Sequence, residues 1–471
     1  MKSILIGIDG AEPALIQKWQ DELPTLAKFN FCKLKSTLPP SSAPAWTSVI
    51  TGVGPEKHWI YDFFYFDGEI KVVNSRYRKK PAIWNLLSNL GMKSIIVNVP
   101  VTYPPERING VIVSGLLTPP KAKFVMPSEV EKLLKGYKME HLIVDDLPIR
   151  IASYYYPEKV LTMLNEWMEW RTKAVLRLIS KYGFDFCMVV YRATDLAQHF
   201  LDDEYVYQIY KKVDEEIEKI MGKVRANYFV VSDHGFCRIR KNININNFLY
   251  DKGFLKIKKK ERKLKFGKKM ANLLRFLPRK FTYLPFFKKM LFSIAKKENV
   301  IDFSSSIAFC LSSSSRAILI RREYKDDVVK EIESIKVNGK RVLKLKELQY
   351  PYIKDWSYMV ADLKDGYFLM DLLNFEGMIS KPEKFNFKRE HAKEGVFMTY
   401  GKIFKEMDEK AKITDVMPTI LHSMKLPIPN YLDGKVLDIF KEKRAVRKVD
   451  WEKYWLSEKE REIIRKLALK I

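Results

Sequence analysis

The first half of the chain alternates between short apolar runs and longer stretches with apolar residues at helical spacing. The apolar runs have the length of buried strands, and they are SILIGID, KSIIVNVP, GVIVSG, FDFCMVVY and NYFVVSD. Between them lie stretches such as EKVLTMLNEWMEWRTKAVLRLISKYG and DEYVYQIYKKVDEEIEKIMGKV, whose apolar residues recur every three or four positions. This alternation predicts an α/β fold with a mostly parallel central sheet and helices on both of its faces.

The pattern changes at about Leu255, where a basic segment with interleaved aromatic residues begins. We interpret this segment as an insertion or small cap. Further strands and a hairpin with Asn338-Gly339 at its turn follow it. The predicted parts of the chain are the first part of the core at 1–251, the basic insertion at 252–300, core strands with a small hairpin subdomain at 301–380, the last part of the core at 381–440 and a C-terminal helical tail at 441–471.

The composition is that of a globular protein, because 47% of the 471 residues are hydrophobic. The four cysteines stand far apart without a C-x-x-C pair, which is typical of reduced thiols in a cytosolic protein. The opening MKSILIGIDGAEP has too short an apolar run for a signal peptide, and no stretch approaches the ~20 apolar residues of a membrane span. We therefore predict a cytoplasmic protein. Its richness in Lys and Glu is typical of thermophiles.

The net charge of +27 is concentrated in one segment. Residues 252–300 carry 17 Lys or Arg and 2 Glu, so that 17 − 2 gives +15. We rank first a lid over an anionic substrate or a solvated lysine-rich cap. A contact with an anionic membrane surface, which would make the protein peripheral there, is ranked second. A nucleic-acid contact through base stacking is ranked third.

Acidic side chains stand at the ends of three predicted strands. Asp9 ends the first strand, Asp195 follows FCMVVY, and Asp233 follows YFVVS. Because ligands gather beyond the carboxyl ends of strands in open parallel sheets, these three carboxylates are expected to converge. Each acid taken alone is explained as well by a helix cap. The combination at one sheet edge is the more specific signal.

Histidines and one hydroxyl complete a possible ligand set. Three of the six histidines belong to it: His199 in D-x-x-x-H, His234 in S-D-H-G and His391 in REHAKEG. Ser42 in PPSSAPAWTS supplies the hydroxyl. Three aspartates, three histidines and a serine are the residue types that hold two divalent ions and prime a nucleophile.

These motifs, in this order, resemble the type I phosphodiesterase/nucleotide pyrophosphatase family of the alkaline phosphatase superfamily. That family has an early Asp, a hydroxyl nucleophile before a TG-x-x-P-x-x-H stretch, D-x-x-x-H, S-D-H-G and a late His. The chain has each motif, and its segment DVMPTILHSMKLPIPNYLDGKVL is similar to the family's closing segment. The similarity runs from near residue 1 to about residue 438, apart from the basic insertion. His58, in the second motif, is assigned a structural role.

The resemblance implies an alkaline phosphatase-like fold and a two-metal hydrolase of phosphoric esters. It implies one ion held by Asp195, His199 and His391, and another held by Asp9, Asp233 and His234. It further implies that Ser42 is the nucleophile and forms a phosphoserine intermediate. We expect Zn²⁺, with Mn or Fe also suited to these ligands. The expected substrate is a small phosphate ester, either a phosphodiester or a nucleotide pyrophosphate.

A possible substrate pocket is suggested by NVPVTYPPERINGVIVSG, which also resembles microbial members of the family. Within it, Asn98, Thr102 and Tyr103 are predicted to line the pocket. A proline-braced loop beside a strand explains the same residues equally well.

The chain departs from the family around its nucleophile. Many members have Thr where this chain has Ser42, and an Asn that holds phosphoryl oxygens where it has Ala45. Ser41 is a rival nucleophile, and Trp46 stands where the sulfatase motif has Arg, which argues against a sulfatase. The alternatives are a phosphomonoesterase or a phosphotransferase/mutase of the same superfamily, and a non-catalytic protein that binds membranes or nucleic acid.

Overall fold

The structure, a computed structural model, describes residues 2–140, 142–258, 300–373, 377–382, 387–407 and 410–454, with the backbone alone for 142–148. The chain divides into two compact units. The first comprises Met1–Tyr65, Val72–Arg240 and Pro382–Ile471, and the second comprises Phe66–Lys71 and Lys241–Lys381. Most of the predicted basic insertion and of the predicted helical tail lies outside the described residues, so those two interpretations stay predictions.

Strands and helices alternate through the first unit as the hydrophobic pattern predicts. The bounds that follow are those of both units, in chain order. The strands are, in chain order, β1 Ser3–Ile8, β2 Asn30–Lys35, β3 Phe64–Phe66, β4 Ile70–Val72, β5 Ser94–Val99, β6 Gly110–Ser114, β7 Val125–Met126, β8 Phe186–Tyr191, β9 Asn227–Val231, β10 Gly235–Arg238, β11 Lys241–Asn244, β12 Ala308–Ser312, β13 Ala317–Arg321, β14 Lys336–Val337, β15 Lys340–Arg341, β16 Leu343–Leu348, β17 Trp356–Leu363, β18 Tyr367–Met370, β19 Ile379–Ser380, β20 Arg389–Ala392, β21 Glu394–Tyr400, β22 Ala411–Lys412, β23 Ile428–Pro429 and β24 Lys448–Val449. The helices are α1 Pro13–Lys18, α2 Ser42–Thr51, α3 Pro55–His58, α4 Ile83–Asn89, α5 Leu142–Tyr155, α6 Pro157–Tyr182, α7 Ala193–Phe200, α8 Asp203–Met221, α9 Ile245–Asp251, α10 Lys325–Glu333 and α11 Val416–Ser423. Within the described ranges, no helix is both long enough and apolar enough to cross a membrane.

The first unit is built on a nine-stranded sheet in the order β22-β2-β21-β9-β1-β8-β5-β6-β7. Its five consecutive strands β9, β1, β8, β5 and β6 are parallel. Antiparallel strands flank them, β21 beside β9 and β7 beside β6. The mostly parallel central sheet predicted from the apolar runs is therefore confirmed.

Helices cover both faces of this sheet. Ile4 of β1 belongs to one apolar core, together with Leu164 of α6 and Val206 of α8. The next residue, Leu5, belongs to a second core that contains Val49 of α2. Because successive strand residues point to opposite faces, each parallel strand contributes to both cores. The α/β class with helices on both faces is confirmed.

The second unit contains mostly antiparallel strands, with β11 and β18 paired in parallel. Four strands form a sheet in the order β12-β13-β17-β16, and three more form one in the order β18-β11-β19. The predicted hairpin is present as β14 and β15, and Asn338 and Gly339 have φ values of 52° and 75°, which a type I′ turn requires. The described strands between residues 301 and 380, which we expected in the core, thus belong to sheets separate from the nine-stranded one.

A buried ion pair anchors α6, the longest described helix. Arg171 Nη2 lies 2.7 Å from Glu140 Oε1, and the two side chains are 1% and 3% exposed. The Arg171 guanidinium also lies 4.8 Å from the centre of the Tyr137 ring. Asn98 Nδ2 donates to Glu140 Oε1 at 3.4 Å and to the Val190 carbonyl at 2.9 Å. The network therefore ties α6 to β5 and β8.

Replacing Arg171 with Met should lower the free energy of unfolding by about 3–5 kcal/mol, because Glu140 would stay buried without its cation. Lys173→Met is the matched control, since Lys173 lies in the same helix and pairs with Glu169 at an exposed position. This control should lose less than about 1 kcal/mol. Urea unfolding followed by circular dichroism measures both. Equal losses would contradict the role given to the buried pair.

Candidate metal centre and nucleophile

Three carboxylates lie at the carboxyl ends of adjacent strands. Asp9 follows β1, and its N–H donates to the carbonyl of Tyr191 at the end of β8, at 2.9 Å. Asp195 lies in the first turn of α7, which begins just after β8. Asp233 follows β9 after one intervening residue. The strand order β9-β1-β8 therefore places the three acids at one edge of the sheet.

One group of ligand atoms is formed by α7 and β20. His199 lies one helical turn after Asp195, and its Nε2 is 3.4 Å from Asp195 Oδ1. His391 lies on β20, opposite Phe236 of β10. Its Nε2 is 3.3 Å from Asp195 Oδ1 and 2.9 Å from His199 Nε2. The three residues predicted for the first ion are thus brought together.

A second group adjoins the first. The ligand atoms of Asp9, Asp233 and His234 all lie within 4.8 Å of one another, as do those of Asp195, His234 and His391. His234 Nε2 is 3.2 Å from Asp233 Oδ2 and 3.7 Å from Asp9 Oδ1. The rings of His234 and His391 stack with centres 3.6 Å apart, so the two groups are in direct contact.

Main-chain carbonyls select one tautomer for all three imidazoles. Each Nδ1 lies 2.9–3.1 Å from a carbonyl oxygen, and the pairs are His199 with Arg389, His234 with Gly235 and His391 with Pro40. A carbonyl oxygen only accepts hydrogen bonds, so each Nδ1 carries a proton. In a neutral ring the Nε2 atom then offers its lone pair to the centre of the group, which is the arrangement of a metal-binding histidine.

Electrostatics in the site favour added positive charge. Burial raises the pKa of Asp9 well above its usual value, and the charges of Asp233 and Asp195 raise it further. Burial also raises the pKa of Asp233 to about 7. Burial acts in the same direction on Asp195, but His199 and His391 outweigh it and hold the pKa of Asp195 well below its usual range. Asp9 and Asp233 therefore lack the positive charge that the two histidines supply to Asp195.

The donor set fits divalent ions. Asp195 Oδ1 and Asp233 Oδ2 are buried, and neither accepts a well-directed hydrogen bond from the described residues. Buried acceptors normally have a partner. These two carboxylate oxygens have free acceptor capacity, and they lie beside imidazole nitrogens whose lone pairs point into the site. Carboxylate oxygens and imidazole nitrogens are the ligands that Zn²⁺ and similar ions take in proteins.

Ser42 begins helix α2 beside the second group. Its Oγ lies 3.3 Å from His234 Nε2 and 3.4 Å from Asp9 Oδ1. The rival hydroxyl of Ser41 is fully buried and makes no hydrogen bond within the described part of the chain. Ala45, at the position of the family's Asn, packs in an apolar core. Of the two serines, Ser42 is the one placed at the candidate metal centre.

Several residues that sequence reasoning missed support Asp9. Trp46 Nε1 donates to Asp9 Oδ2 at 3.0 Å. The Thr194 hydroxyl donates to the Asp9 carbonyl, and the Gln198 amide donates to the Gly10 carbonyl. Thr194 and Gln198 stand one position before Asp195 and His199 of the D-x-x-x-H motif. They are four residues apart on the same helix, as the two motif residues are, and this spacing is the sequence signal for them. The sequence contains no such signal for Trp46.

The predicted pocket residues have other partners. Asn98 is buried and belongs to the ion-pair network of α6. Thr102 is buried, and its hydroxyl donates to the Val99 carbonyl at 2.6 Å. Tyr103 is partly exposed. The loop interpretation accounts for the contacts of Asn98 and Thr102, and the prediction that these three residues line a substrate pocket stays a prediction.

The TG-x-x-P-x-x-H stretch has structural contacts. His58 is fully buried, its Nε2 lies 3.0 Å from Ser48 Oγ, and burial lowers its pKa to about 3. Asp433 of the closing segment accepts from the Gly54 N–H at 2.9 Å and pairs with Lys57. The closing segment therefore holds the turn that follows helix α2.

Comparisons with known proteins agree with the motifs. A protein-family model described as type I phosphodiesterase / nucleotide pyrophosphatase matches residues 3–351. None of the curated proteins compared with the chain matches it.

Similar solved structures include human ectonucleotide pyrophosphatase/phosphodiesterase 5, with a TM-score of 0.52 and 14% identity over 94% of this chain and 100% of that chain. The murine protein has a TM-score of 0.50 and 12% identity over 90% and 95%. A phosphonoacetate hydrolase from Sinorhizobium meliloti 1021, in complex with phosphonoformate, has a TM-score of 0.55 and 14% identity over 90% and 95%. At these identities the structures show a shared fold.

Metal affinity should fall as the pH is lowered through about 7, because Asp233, with its pKa raised to about 7, must lose a proton before it binds a cation. We expect the affinity for Zn²⁺ or Mn²⁺ to fall by up to about tenfold per pH unit below that point. Chelator competition between about pH 5.5 and 8.5 measures it.

The same raised pKa has a consequence for the metal-free protein. Its native state binds the Asp233 proton more tightly than the unfolded chain does, so the contribution of this group to stability falls as the pH rises from about 4 to about 7. Bound metal should therefore raise the melting temperature more at about pH 8 than at about pH 5.5. A metal affinity that does not change with pH would contradict both expectations.

Proposed function

The chain belongs to the type I phosphodiesterase/nucleotide pyrophosphatase family, and on that premise we propose that it hydrolyses phosphodiester or nucleotide pyrophosphate bonds through a phosphoserine intermediate on Ser42. Membership of the family indicates metal-dependent hydrolysis of phosphoesters. The observation that most supports the finer proposal is the position of Ser42 Oγ, 3.4 Å from Asp9 Oδ1 and 3.3 Å from His234 Nε2. A hydroxyl at that distance from two ligand atoms is close enough to share a cation with them.

Two divalent ions are part of this proposal. One would be held by Asp195, His199 and His391, and the other by Asp9, Asp233 and His234. When bound, such ions lower the pKa of a coordinated hydroxyl and stabilise charge on the phosphoryl oxygens. We propose Zn²⁺ because imidazole and carboxylate ligands together suit it, and Mn or Fe are the alternatives that the same ligands suit.

Ser42 acts in two steps. In the first, its hydroxyl loses a proton, a bond forms from Oγ to phosphorus, and the bond from phosphorus to the leaving alcohol or nucleotide breaks as that group takes up a proton. In the second, a water molecule attacks the phosphoserine, releases a phosphomonoester and restores the hydroxyl. The protons given up and taken up balance over the two steps.

Main-chain groups are proposed to hold the phosphoryl oxygens. Ser42 is the first residue of the ten-residue helix α2, and the first N–H groups of a helix have no partners within it. Pro44 has no N–H, so the N–H groups of Ser42 and Ala43 remain as donors to an anion at this end of α2. They would supply part of the contact that the family's Asn makes and that Ala45 does not.

Ser42→Ala should lower kcat by at least about a thousandfold, because it removes the nucleophile and leaves the ligands in place. Ser41→Ala is the matched control, since the neighbouring hydroxyl is buried and makes no hydrogen bond within the described part of the chain, and it should stay within about threefold of the wild type. Nitrophenol release from bis-nitrophenyl phosphate and from nitrophenyl phosphate measures turnover, with Zn²⁺ or Mn²⁺ and after chelation. An acid quench should yield a phosphorylated peptide that contains Ser42.

The same assay separates the alternatives. Faster release from the monoester would indicate a phosphomonoesterase, and transfer of phosphate to an added alcohol in preference to water would indicate a phosphotransferase. If the Ser42→Ala variant and the chelated protein both hydrolyse the diester as fast as the wild type, the proposed mechanism is wrong.

A further inference from the structure

Trp46 connects the nucleophile helix to one of the candidate metal ligands. Its side chain is fully buried, and its Nε1 lies 3.0 Å from Asp9 Oδ2. An indole N–H is only a donor, so the direction of this hydrogen bond is fixed. The rest of the ring packs in the apolar core that contains Val49 and Leu5. The indole therefore has one polar contact, and that contact is with a carboxylate of the site.

Strand β1 leaves room for this indole. A Cβ atom placed on Gly7 would lie 2.4 Å from Trp46 Cη2 and 2.8 Å from Val190 Cγ2, both too close for any side chain. Gly7 and Asp9 are two residues apart, so they point to the same face of the sheet. The indole thus has two contacts on one face, with its benzene edge against Gly7 of β1 and its N–H against Asp9 just after β1. These two contacts fix both the position and the tilt of the ring.

We propose that Trp46 is a positioning residue for the second metal ion, and that its N–H holds Asp9 Oδ2 so that Asp9 Oδ1 faces the metal position. The inference rests on the proposed two-metal function. Its geometric basis is that Asp9 Oδ1 lies 3.4 Å from Ser42 Oγ and 3.7 Å from His234 Nε2 while Oδ2 is occupied by the indole.

Two effects follow from the hydrogen bond. A carboxylate with one oxygen engaged cannot rotate freely, so the other oxygen keeps its direction toward the ligand group. A donor to a buried carboxylate also stabilises its negative charge where water is excluded. Both effects make Asp9 a better ligand. Neither requires that Trp46 touch the substrate or the reacting atoms.

A positioning role differs measurably from a role in packing. Loss of packing alone would weaken the fold, and with it both ions to a similar extent. Loss of the N–H should act on the ion held by Asp9, Asp233 and His234, and should leave the ion held by Asp195, His199 and His391 almost unchanged.

The test is Trp46→Phe, which keeps an aromatic ring and removes the N–H. Trp84→Phe is the matched control, because Trp84 is also fully buried and its Nε1 donates at 3.1 Å to Glu106, a carboxylate that keeps its pair with Arg78. Zn²⁺ binding is measured by chelator competition. We expect Trp46→Phe to lower the affinity for one ion by about 10- to 100-fold and to keep the other within about threefold. We expect Trp84→Phe to keep both.

The outcomes distinguish this inference from the function on which it rests. If the wild-type protein binds two ions and Trp46→Phe binds both equally well, or loses both to the same extent, the role of Trp46 is wrong and the two-metal site stands. If the wild-type protein does not bind two ions, the proposed function fails, and this inference fails with it.

A second measurement uses the wild-type protein and does not depend on the folding of a variant. In protein labelled with ¹⁵N-tryptophan, the indole N–H resonance of Trp46 should shift as Zn²⁺ fills the ion position next to Asp9, because the acceptor of its hydrogen bond changes charge density. The resonance of Trp84 should not follow that titration. A Trp46 resonance that ignores Zn²⁺ would overturn the inference.

Discussion

Three buried carboxylates and three imidazole nitrogens are directed at one another in the site, and carboxylates that are buried so close together are stabilised by positive charge among them. The Asp195 carboxylate shows this constraint, because it raises the pKa of His199 against the effect of burial. The nine-stranded sheet supplies the geometry, because the parallel strands β9, β1 and β8 end at one edge and carry their acids there. The rest of the site is arranged around that edge, with His199 on α7, His391 on β20 and Ser42 on α2.

Hydrophobic periodicity predicted the parts of the site that lie on regular elements. The apolar runs marked the central strands, the edge followed from the fold class, and the spacing of Asp195 and His199 placed them on one face of a helix. No strand or helix pattern placed His391, because β20 has four residues and pairs with β10 outside the main sheet. Its residue type put it in the possible ligand set, and the family resemblance gave it a role. The strands after residue 300 were recognisable, but the sheet that an antiparallel strand joins depends on tertiary contacts that periodicity does not contain. The partners of Asn98 were hidden for the same reason, because Glu140 and Val190 are distant from it in the chain.

Helix α2 repeats the geometry of α7. Ser42 and Trp46 are four residues apart on α2, so they lie on one face, as Asp195 and His199 do on α7. That face of α2 meets Asp9 at two atoms, Oδ1 through Ser42 and Oδ2 through Trp46. Ala45 lies on the side of α2 that packs in the apolar core. Where the family has an Asn, Ala45 therefore contributes packing, and under the proposed function the start of the helix would hold the phosphoryl oxygens.

Some site residues are held by backbone groups and others by side chains. A single substitution can remove only a side-chain partner. Main-chain carbonyls orient the three imidazoles, and the Gly10 N–H donates to Asp233 Oδ1 at 3.1 Å. No side-chain replacement removes these partners, because they belong to the backbone. Asp9 and Asp195 are the exceptions, with Trp46 on one and Arg192, 3.7 Å away, on the other. The backbone thus orients the three imidazoles, whereas the orientation of Asp9 and Asp195 depends on side chains that a single substitution can remove.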